Sequence, residues 1–277
     1  MAESDLMMPA RDLNAEGFVP QDLLERWIRP LVAEFIGPFA LVFVGAGSIL
    51  TAITQGWTQP GSGEYVVMVG LAHGLAIGLM VAAAGHISGG HYNPAVTIAL
   101  LIGGKIGVIK SVAYIIVQIL GAVVAALVLK QIFDDSVADF GAAVPAVNYD
   151  GDTDGIIVGR ANAFWLEAIT TFFLVYVICG VAVDSRGPQA IAALAIGLTI
   201  TMDILIAGPL TGAAMNPARY LGPAIVDGTT KDMWLYILAP VIGGVLAAIV
   251  HIYILIPKGV AFPEAEPSEY DRDTGRQ

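Results

Sequence analysis

Asn93-Pro94-Ala95 and Asn216-Pro217-Ala218 are two copies of one triplet, and each lies in an otherwise apolar part of the chain. Asn is favoured at the N-cap of a helix, and Pro is favoured at the first helical position, where its missing N–H would be unpaired anyway. Each triplet therefore predicts a short helix whose positive dipole end faces its own Asn. Two such ends meeting at mid-membrane would offer hydrogen bonds to a neutral molecule and repel cations. This arrangement suits a passage for water or a small solute.

The composition is typical of a helical protein that crosses the membrane several times. The chain has 277 residues, of which 56% are hydrophobic and 13% are charged, and its mean hydropathy is +0.75. The net charge of −11 comes from tails and loops. The chain has no basic patch, which argues against a nucleic-acid partner. Because Cys179 is the single cysteine, we expect no disulfide and no cysteine metal cluster, and we predict neither a metal nor a cofactor.

Six apolar stretches have the length of about 20 residues that crosses a bilayer core. Two shorter ones cannot cross, and each follows a Gly-rich loop. We interpret them as re-entrant half-helices, because irregular backbone survives at membrane depth only where it is buried or lines a wet cavity. The predicted spans are residues 31–52, 65–84, 108–130, 162–183, 189–207 and 233–256, and the half-helices are residues 93–102 and 216–226.

The two halves of the chain match each other over about residues 30–131 and 162–257. Glu34 matches Glu167, and both are followed at the same distance by similar apolar residues. Since each half has an odd number of full spans, the second copy enters the membrane from the opposite face. The predicted fold is an all-α membrane protein with six transmembrane helices and two re-entrant half-helices in an inverted 3+3 repeat.

One face of the second span is lined by small residues. Gly70, Gly74 and Gly78 recur every four residues, and such a stripe lets two helix backbones approach closely in lipid. We predict a close helix contact along this face.

The distribution of Lys and Arg gives the orientation. Most basic residues fall on one side of the predicted topology, which places both termini in the cytoplasm by the positive-inside rule. Residues 1–29 then form a cytoplasmic tail that includes an amphipathic piece at the membrane interface, between Pro20 and Pro30. Residues 258–277 form an acidic cytoplasmic tail, and residues 133–161 form a long polar loop outside.

Longer stretches around both triplets resemble the pore loops of the aquaporins, which are members of the major intrinsic protein family. These stretches run from Ser88 to Thr97 and from Thr211 to Ala224. Ala33-Glu34-Phe35-Ile36-Gly37 resembles the family's opening of the first span, although Pro38 replaces the usual Thr. The resemblance covers about residues 30–257. It implies a passive channel for water in a lipid bilayer, assembled as a homotetramer with one pore in each subunit, and not an enzyme.

The resemblance also implies roles for individual residues. Asn93 and Asn216 would donate hydrogen bonds to a passing water molecule, which interrupts the file along which protons hop. Glu34 and Glu167 would hold the two pore loops through backbone N–H groups, since a carboxylate inside an apolar span needs partners. The residues whose carbonyl groups are predicted to line the pore are Gly89, Gly90, His91, Tyr92, Gly212, Ala214 and Met215.

Four further positions form the narrowest ring of the pore in this family. Counted back and forward from the two triplets, they are His73, Ile204, Ala213 and Arg219. This set resembles the plant tonoplast intrinsic proteins. It implies a modestly wider ring that admits ammonia, hydrogen peroxide or urea together with water, while Arg219 repels cations. Ala213 carries no thiol, so we do not expect mercury to inhibit from within the pore.

Asp203 stands beside Ile204 in the fifth span, and an acid at this depth is a functional hypothesis by default. One hypothesis is that it hydrogen-bonds His73 or Arg219 from behind and tunes the ring. The alternative is an acid with satisfied hydrogen bonds near the outer interface.

Two other functions stay open at this point. A glycerol or urea facilitator shares the predicted fold, but Tyr220 and Ala224 stand where glycerol facilitators carry Asp and Arg. A secondary transporter also uses inverted repeats and broken helices, although it would need a coupling group where both half-helices present Asn. We expect the chain to reside in a plasma (inner) membrane.

Overall fold

A computed structural model of the chain describes residues 20–57, 62–133, 158–229 and 232–257. Within this part of the chain, six helices are long and apolar enough to cross a membrane, which confirms the predicted spans. Two helices are too short to cross, and each begins at the Pro of one triplet. In chain order the helices are α1 (Gln21–Gln55), α2 (Gly63–Ser88), α3 (Pro94–Ile102), α4 (Val108–Ile132), α5 (Arg160–Val183), α6 (Gln189–Thr211), α7 (Pro217–Asp227) and α8 (Met233–Leu255).

The helix packing has the pseudo-two-fold symmetry of an inverted repeat. α1 packs against α4 in the first repeat, and α5 packs against α8 in the second. α2 and α6 cross each other between the repeats. The half-helices exchange partners, since α3 packs against α8 and α7 packs against α4. Each half-helix is therefore supported by the last span of the other repeat.

The α2–α6 crossing is as close as the stripe of glycines predicts. A Cβ atom built on Gly74 would lie 2.4 Å from the carbonyl oxygen of Gly197, and one on Gly197 would lie 2.6 Å from the carbonyl oxygen of Gly74. A Cβ on Gly78 would lie 3.0 Å from the carbonyl oxygen of Ala193. Both helices need glycine at this crossing, because their backbones are in direct contact.

The predicted interfacial piece between Pro20 and Pro30 is not separate from the first span. α1 begins at Gln21 and continues through Pro30 without a break. The ring of a proline inside an α-helix clashes with the carbonyl group four residues earlier. In α1 the turn before Pro30, Leu24–Ile28, is π-helical, and this wider turn gives the ring the room it needs.

Other predicted features lie outside the described residues. They are most of the polar loop 133–161, the N-terminal tail before residue 20 and the acidic tail after residue 257.

Candidate pore and filter

A narrow cavity runs between the two repeats and has two chemically different walls. One wall is polar and comes from the loops that precede α3 and α7, together with His73 and Arg219. The other wall is apolar and comes from α1, α2, α3, α5 and α6. Its residues are Leu41, Ile77, Val96, Leu174, Ile178, Ile196, Ile200 and Ile204. The lining of this cavity thus combines a small set of hydrogen-bonding groups with many apolar side chains.

The two pore loops have the same unusual backbone. Each has positive φ angles at three matching positions, with values of 92° and 81° at Gly89 and Gly212, 63° and 43° at Gly90 and Ala213, and 50° at both Tyr92 and Met215. Positive φ is uncommon for residues other than glycine and is held only where the surroundings enforce it. Three residues of each loop line the cavity, namely Gly90, His91 and Tyr92 in the first and Ala213, Ala214 and Met215 in the second. All except Ala213 were predicted to line the pore through their carbonyl groups.

Gly89 and Gly212 are predicted to line the pore, but neither of them lines the cavity. Both are left-handed C-caps, of α2 and α6 respectively. The N–H of Gly89 donates to the carbonyl oxygen of Gly85 at 2.8 Å, and that of Gly212 to Gly208 at 3.0 Å. Their role is to end a span so that the loop can turn into the membrane.

Glu34 holds the first loop in the way the sequence predicts. Its Oε1 accepts hydrogen bonds from the His91 N–H (2.9 Å) and the Ser88 hydroxyl (2.6 Å). Its Oε2 accepts from the Tyr92 N–H (2.8 Å) and from Nε2 of Gln118 (2.7 Å). The carboxylate is fully buried, and these four donors replace the water that it loses.

Glu167 repeats this arrangement in the second loop. Its Oε1 accepts from the Ala214 N–H (2.9 Å) and the Thr211 hydroxyl (2.6 Å), and its Oε2 accepts from the Met215 N–H (2.8 Å). The matching tyrosines, Tyr114 and Tyr236, donate to the carbonyl oxygens of Ser88 (2.8 Å) and Thr211 (2.6 Å). The strained turns of both loops are thus fixed by a buried carboxylate.

Five of these supporting residues were missed by the sequence analysis, which singled out only the two glutamates. A signal for them was available, because each is a polar side chain next to or inside an apolar span. They are Ser88, Tyr114, Gln118, Thr211 and Tyr236.

Each Asn of the two triplets caps its own half-helix and also reaches the opposite loop. Oδ1 of Asn93 accepts from the Ala95 N–H at 2.8 Å, and Oδ1 of Asn216 accepts from the Ala218 N–H at 2.9 Å. Nδ2 of Asn93 donates to the carbonyl oxygen of Met215 at 2.8 Å, and Nδ2 of Asn216 donates to that of Tyr92 at 3.0 Å. Pro94 and Pro217 follow at the first helical positions. The structure therefore brings both triplets to one point.

The four predicted ring residues all line the cavity. Nδ1 of His73 donates to the carbonyl oxygen of Val69 at 2.8 Å, so the remaining nitrogen, Nε2, is an acceptor in the neutral ring. Arg219 is 5% exposed, and its Nε and Nη1 have no hydrogen-bond partner among the described residues. The predicted ring would thus combine one imidazole, one guanidinium, and the apolar Ile204 and Ala213.

Asp203 does not make the contacts that one sequence hypothesis required. It is 1% exposed and does not line the cavity. Within the described part of the chain, no hydrogen bond joins it to His73 or Arg219, and its Oδ2 has no partner. The helical rotation of about 100° per residue explains this, since Ile204 takes the lumen side of α6 and its neighbour is turned away.

Known proteins resemble this chain over most of its length. Residues 24–251 match the sequence profile described as major intrinsic protein. A probable aquaporin TIP3-2 from Arabidopsis thaliana is 42% identical over 240 residues, which cover 83% of this chain and 85% of the relative. A glycerol uptake facilitator protein-like 6 from Lactiplantibacillus plantarum is 41% identical, with 80% of this chain and 95% of the relative covered.

The fold has a solved counterpart as well. The aquaglyceroporin from Plasmodium falciparum matches with a TM-score of 0.69 and 26% sequence identity, over 83% of this chain and 97% of that chain. Two paired half-helices, matched pore loops and these similarities agree with one another. The chain belongs to the major intrinsic protein family.

Proposed function

We propose that this protein is a passive channel that conducts water and small neutral solutes and excludes protons and ions. The observation that carries the proposal is the pair of crossed hydrogen bonds from Asn93 to Met215 and from Asn216 to Tyr92. A side-chain amide has two N–H groups. One is used in each crossed bond, and the second is left for a water molecule in the cavity that both Asn residues line.

Exclusion of ions follows from the charges around this point. α3 and α7 both begin here, and their N-terminal dipole ends carry partial positive charge. Arg219 adds a full positive charge to the ring. A cation meets repulsion at both places, and it would lose its hydration shell in a cavity with one apolar wall.

The ring of His73, Ile204, Ala213 and Arg219 supports passage of solutes somewhat larger than water. Ala213 adds little bulk, and Ile204 offers no hydrogen bond, so a neutral solute such as urea, ammonia or hydrogen peroxide meets donors on the Arg219 side only. Similar proteins carry both names, since one relative is called a probable aquaporin and another a glycerol uptake facilitator protein.

A glycerol facilitator is the second candidate, and one feature of the structure argues against it. The rings of Tyr220 and Tyr236 stack with their centroids 4.4 Å apart. Tyr220 fills the place where glycerol facilitators carry an Asp, and Tyr236 belongs to a pair that they replace with Pro-Leu. Neither tyrosine lines the cavity, so it is this departure from the glycerol facilitators at two positions that favours water and smaller solutes in our proposal.

A secondary transporter or an enzyme is less well supported. Among the described residues, none that lines the cavity carries a carboxylate that could couple transport to an ion. No group of His, Cys, Asp or Glu in that part of the chain could hold a metal ion. We therefore propose conduction without chemistry.

The assembly and the orientation are further parts of the proposal. The chain is an integral membrane protein, and we propose a homotetramer with both termini in the cytoplasm of a plasma (inner) membrane. Lys105, Lys110 and Arg186 lie in or next to the loops on the proposed cytoplasmic side, which supports this orientation. Native mass spectrometry tests the tetramer.

Stopped-flow light scattering on reconstituted liposomes tests the function. After a urea shock, we expect shrinkage much faster than in protein-free liposomes, because water leaves through the pore. Reswelling faster than in protein-free liposomes would support urea passage. Reswelling at the rate of protein-free liposomes would indicate that the pore conducts water but not urea. Shrinkage at the lipid rate would contradict the channel function, and saturable uptake driven by an ion gradient would favour a transporter.

A further inference from the structure

Gly45 of α1 faces the edge of the His73 ring. A Cβ atom built on Gly45 would lie 2.4 Å from Nε2, 2.5 Å from Cδ2 and 2.7 Å from Cε1 of His73. Real Cβ atoms essentially never approach a neighbour within 3.0 Å. The outer edge of the imidazole therefore occupies the space that any side chain at position 45 would need.

The His73 ring is buried in this recess. The ring is 1% exposed, its Nδ1 is bound to the carbonyl oxygen of Val69, and its Nε2 has no hydrogen-bond partner among the described residues. Since His73 still lines the cavity, the ring has α1 on one side and the lumen on another. If α1 pushed it away, the open direction would be the lumen.

The other repeat has no such recess. Gly45 and His73 correspond to Ile178 and Ile196, by the same register that aligns the glutamates and the Asn-Pro-Ala triplets. Both isoleucines line the cavity. Two branched side chains thus fill the matching place, whereas at the filter end a missing side chain makes room for a polar ring. This difference between the repeats is specific to the filter end of the pore.

Gly45 lies in a widened part of α1. Residues Leu41–Ala46 form a π-helical stretch within α1. Such turns also occur elsewhere in the spans, at Leu24–Ile28, Cys179–Val183 and Ile249–Leu255, so the contact with His73 and not the turn distinguishes this position. Leu41, at the start of the stretch, lines the cavity, and Gly45 is buried against His73.

We propose that Gly45 is a positioning residue that sets the width of the filter, because it determines how far the His73 imidazole withdraws from the lumen. This inference rests on the proposed channel function. It adds a fifth residue to the four that determine the filter, which are His73, Ile204, Ala213 and Arg219. The position is outside the lumen and acts through His73 on the choice between water and larger neutral solutes such as urea.

The test compares urea and water permeability of Gly45→Ala with the wild type. The added methyl group moves the imidazole into the lumen, and a change of this size in a fitted site alters discrimination by about tenfold. We expect urea permeability to fall by about that factor and water permeability to fall much less. Gly47→Ala is the matched control on the same helix, because its Cβ would meet only the flexible end of Leu129, at 3.2 Å.

A double variant separates positioning from helix packing. In a His73→Ala background, Gly45→Ala has no ring to displace. We therefore expect the double variant to show the same ratio of urea to water permeability as His73→Ala alone. A ratio that falls equally in both backgrounds would overturn the inference. So would a ratio in Gly45→Ala equal to that of the wild type.

A structure of Gly45→Ala gives a readout that does not depend on permeation. We expect the His73 ring to be shifted towards the lumen, and a ring that stays in place would overturn the inference. If the wild type did not conduct water, the proposed function would fail, while the position of this ring would still test the contact.

Discussion

Asn93 donates a 2.8 Å hydrogen bond through its side-chain amide to the carbonyl oxygen of Met215, the residue that directly precedes the second triplet. The first pore loop therefore fixes a carbonyl group of the second, and the reverse bond from Asn216 to Tyr92 completes the pair. The midpoint of the pore is thus one bonded unit made from both repeats. A substitution that moves either loop should consequently also displace the other.

Replacement of Glu167 by Gln should destabilise the protein and reduce conduction. Glu167 accepts three hydrogen bonds from Thr211, Ala214 and Met215, whereas the NH₂ group of Gln would meet an N–H donor. A buried donor left unpaired costs about 1–3 kcal/mol. We expect a melting temperature lower by several degrees and a marked loss of water permeability.

Glu64→Gln is the matched control for this change, because Glu64 is exposed in the first turn of α2. It should melt and conduct like the wild type. Wild-type behaviour of Glu167→Gln would contradict the supporting role of the carboxylate.

Replacement of Arg219 by Ala should weaken the exclusion of cations. Two unit charges about 4 Å apart interact by about 4 kcal/mol at an effective dielectric constant of 20, so the loss of this charge removes a large barrier. We expect proton and potassium leaks at least tenfold above the wild type, measured with a pH-sensitive dye and by ion flux from liposomes. Arg219→Lys keeps the charge and should keep most of the exclusion. Equal leaks in both variants would place the barrier elsewhere.

Mercury should block the pore only after a thiol is introduced at position 213. The native Cys179 is fully buried and is not among the residues that line the cavity, whereas Ala213 lines it. We expect the wild type to conduct water normally in mercuric chloride. Ala213→Cys should be inhibited severalfold and recover after addition of a thiol reductant. An inhibited wild type, or an insensitive variant, would contradict the placement of these two residues.

The ion pair between Asp184 and Arg186, in the loop between α5 and α6, should persist except in strong acid. Oδ1 and Oδ2 of Asp184 accept hydrogen bonds from the Arg186 guanidinium at 2.9 and 2.6 Å, and these bonds hold the pKa of Asp184 well below its usual range. A lowered carboxyl pKa stabilises the fold above the unfolded value of about 3.9, and this contribution is lost as the pH falls below it. Between about pH 5 and 8, this pair should therefore add no pH dependence.

Trypsin measures the loop directly, because cleavage after Arg186 requires it to open. We expect Asp184→Asn to be cut several times faster than the wild type at pH 8. Asp22→Asn removes an exposed ion pair with Arg26 in the first turns of α1 and should leave that cleavage unchanged. Equal cleavage of the wild type and Asp184→Asn would show that the pair does not order the loop.

The spans, the half-helices and the buried glutamates were predictable from the sequence, because each has a local signal. Length and hydropathy mark a span, Asn followed by Pro marks a helix start, and a matched carboxylate in each apolar repeat marks a support. Contacts between distant residues have no such signal. That Gly45 meets His73, or that Asp203 turns away from both expected partners, depends on how two helices rotate against each other. The continuity of α1 was missed for a different reason. Proline usually marks the start of a helix, but Pro30 follows a π-helical turn within one.

The exchange of partners between the half-helices has a consequence for biosynthesis. α3 packs against α8, and the ribosome makes α8 last, long after α3 has emerged. During that interval the apolar surface of α3 has no final docking site in the nascent chain. The first pore loop can reach its native position only after α8 has been synthesised. A chain cut short before α8 should thus be a substrate for quality control, even though five of its six spans would already be in the membrane.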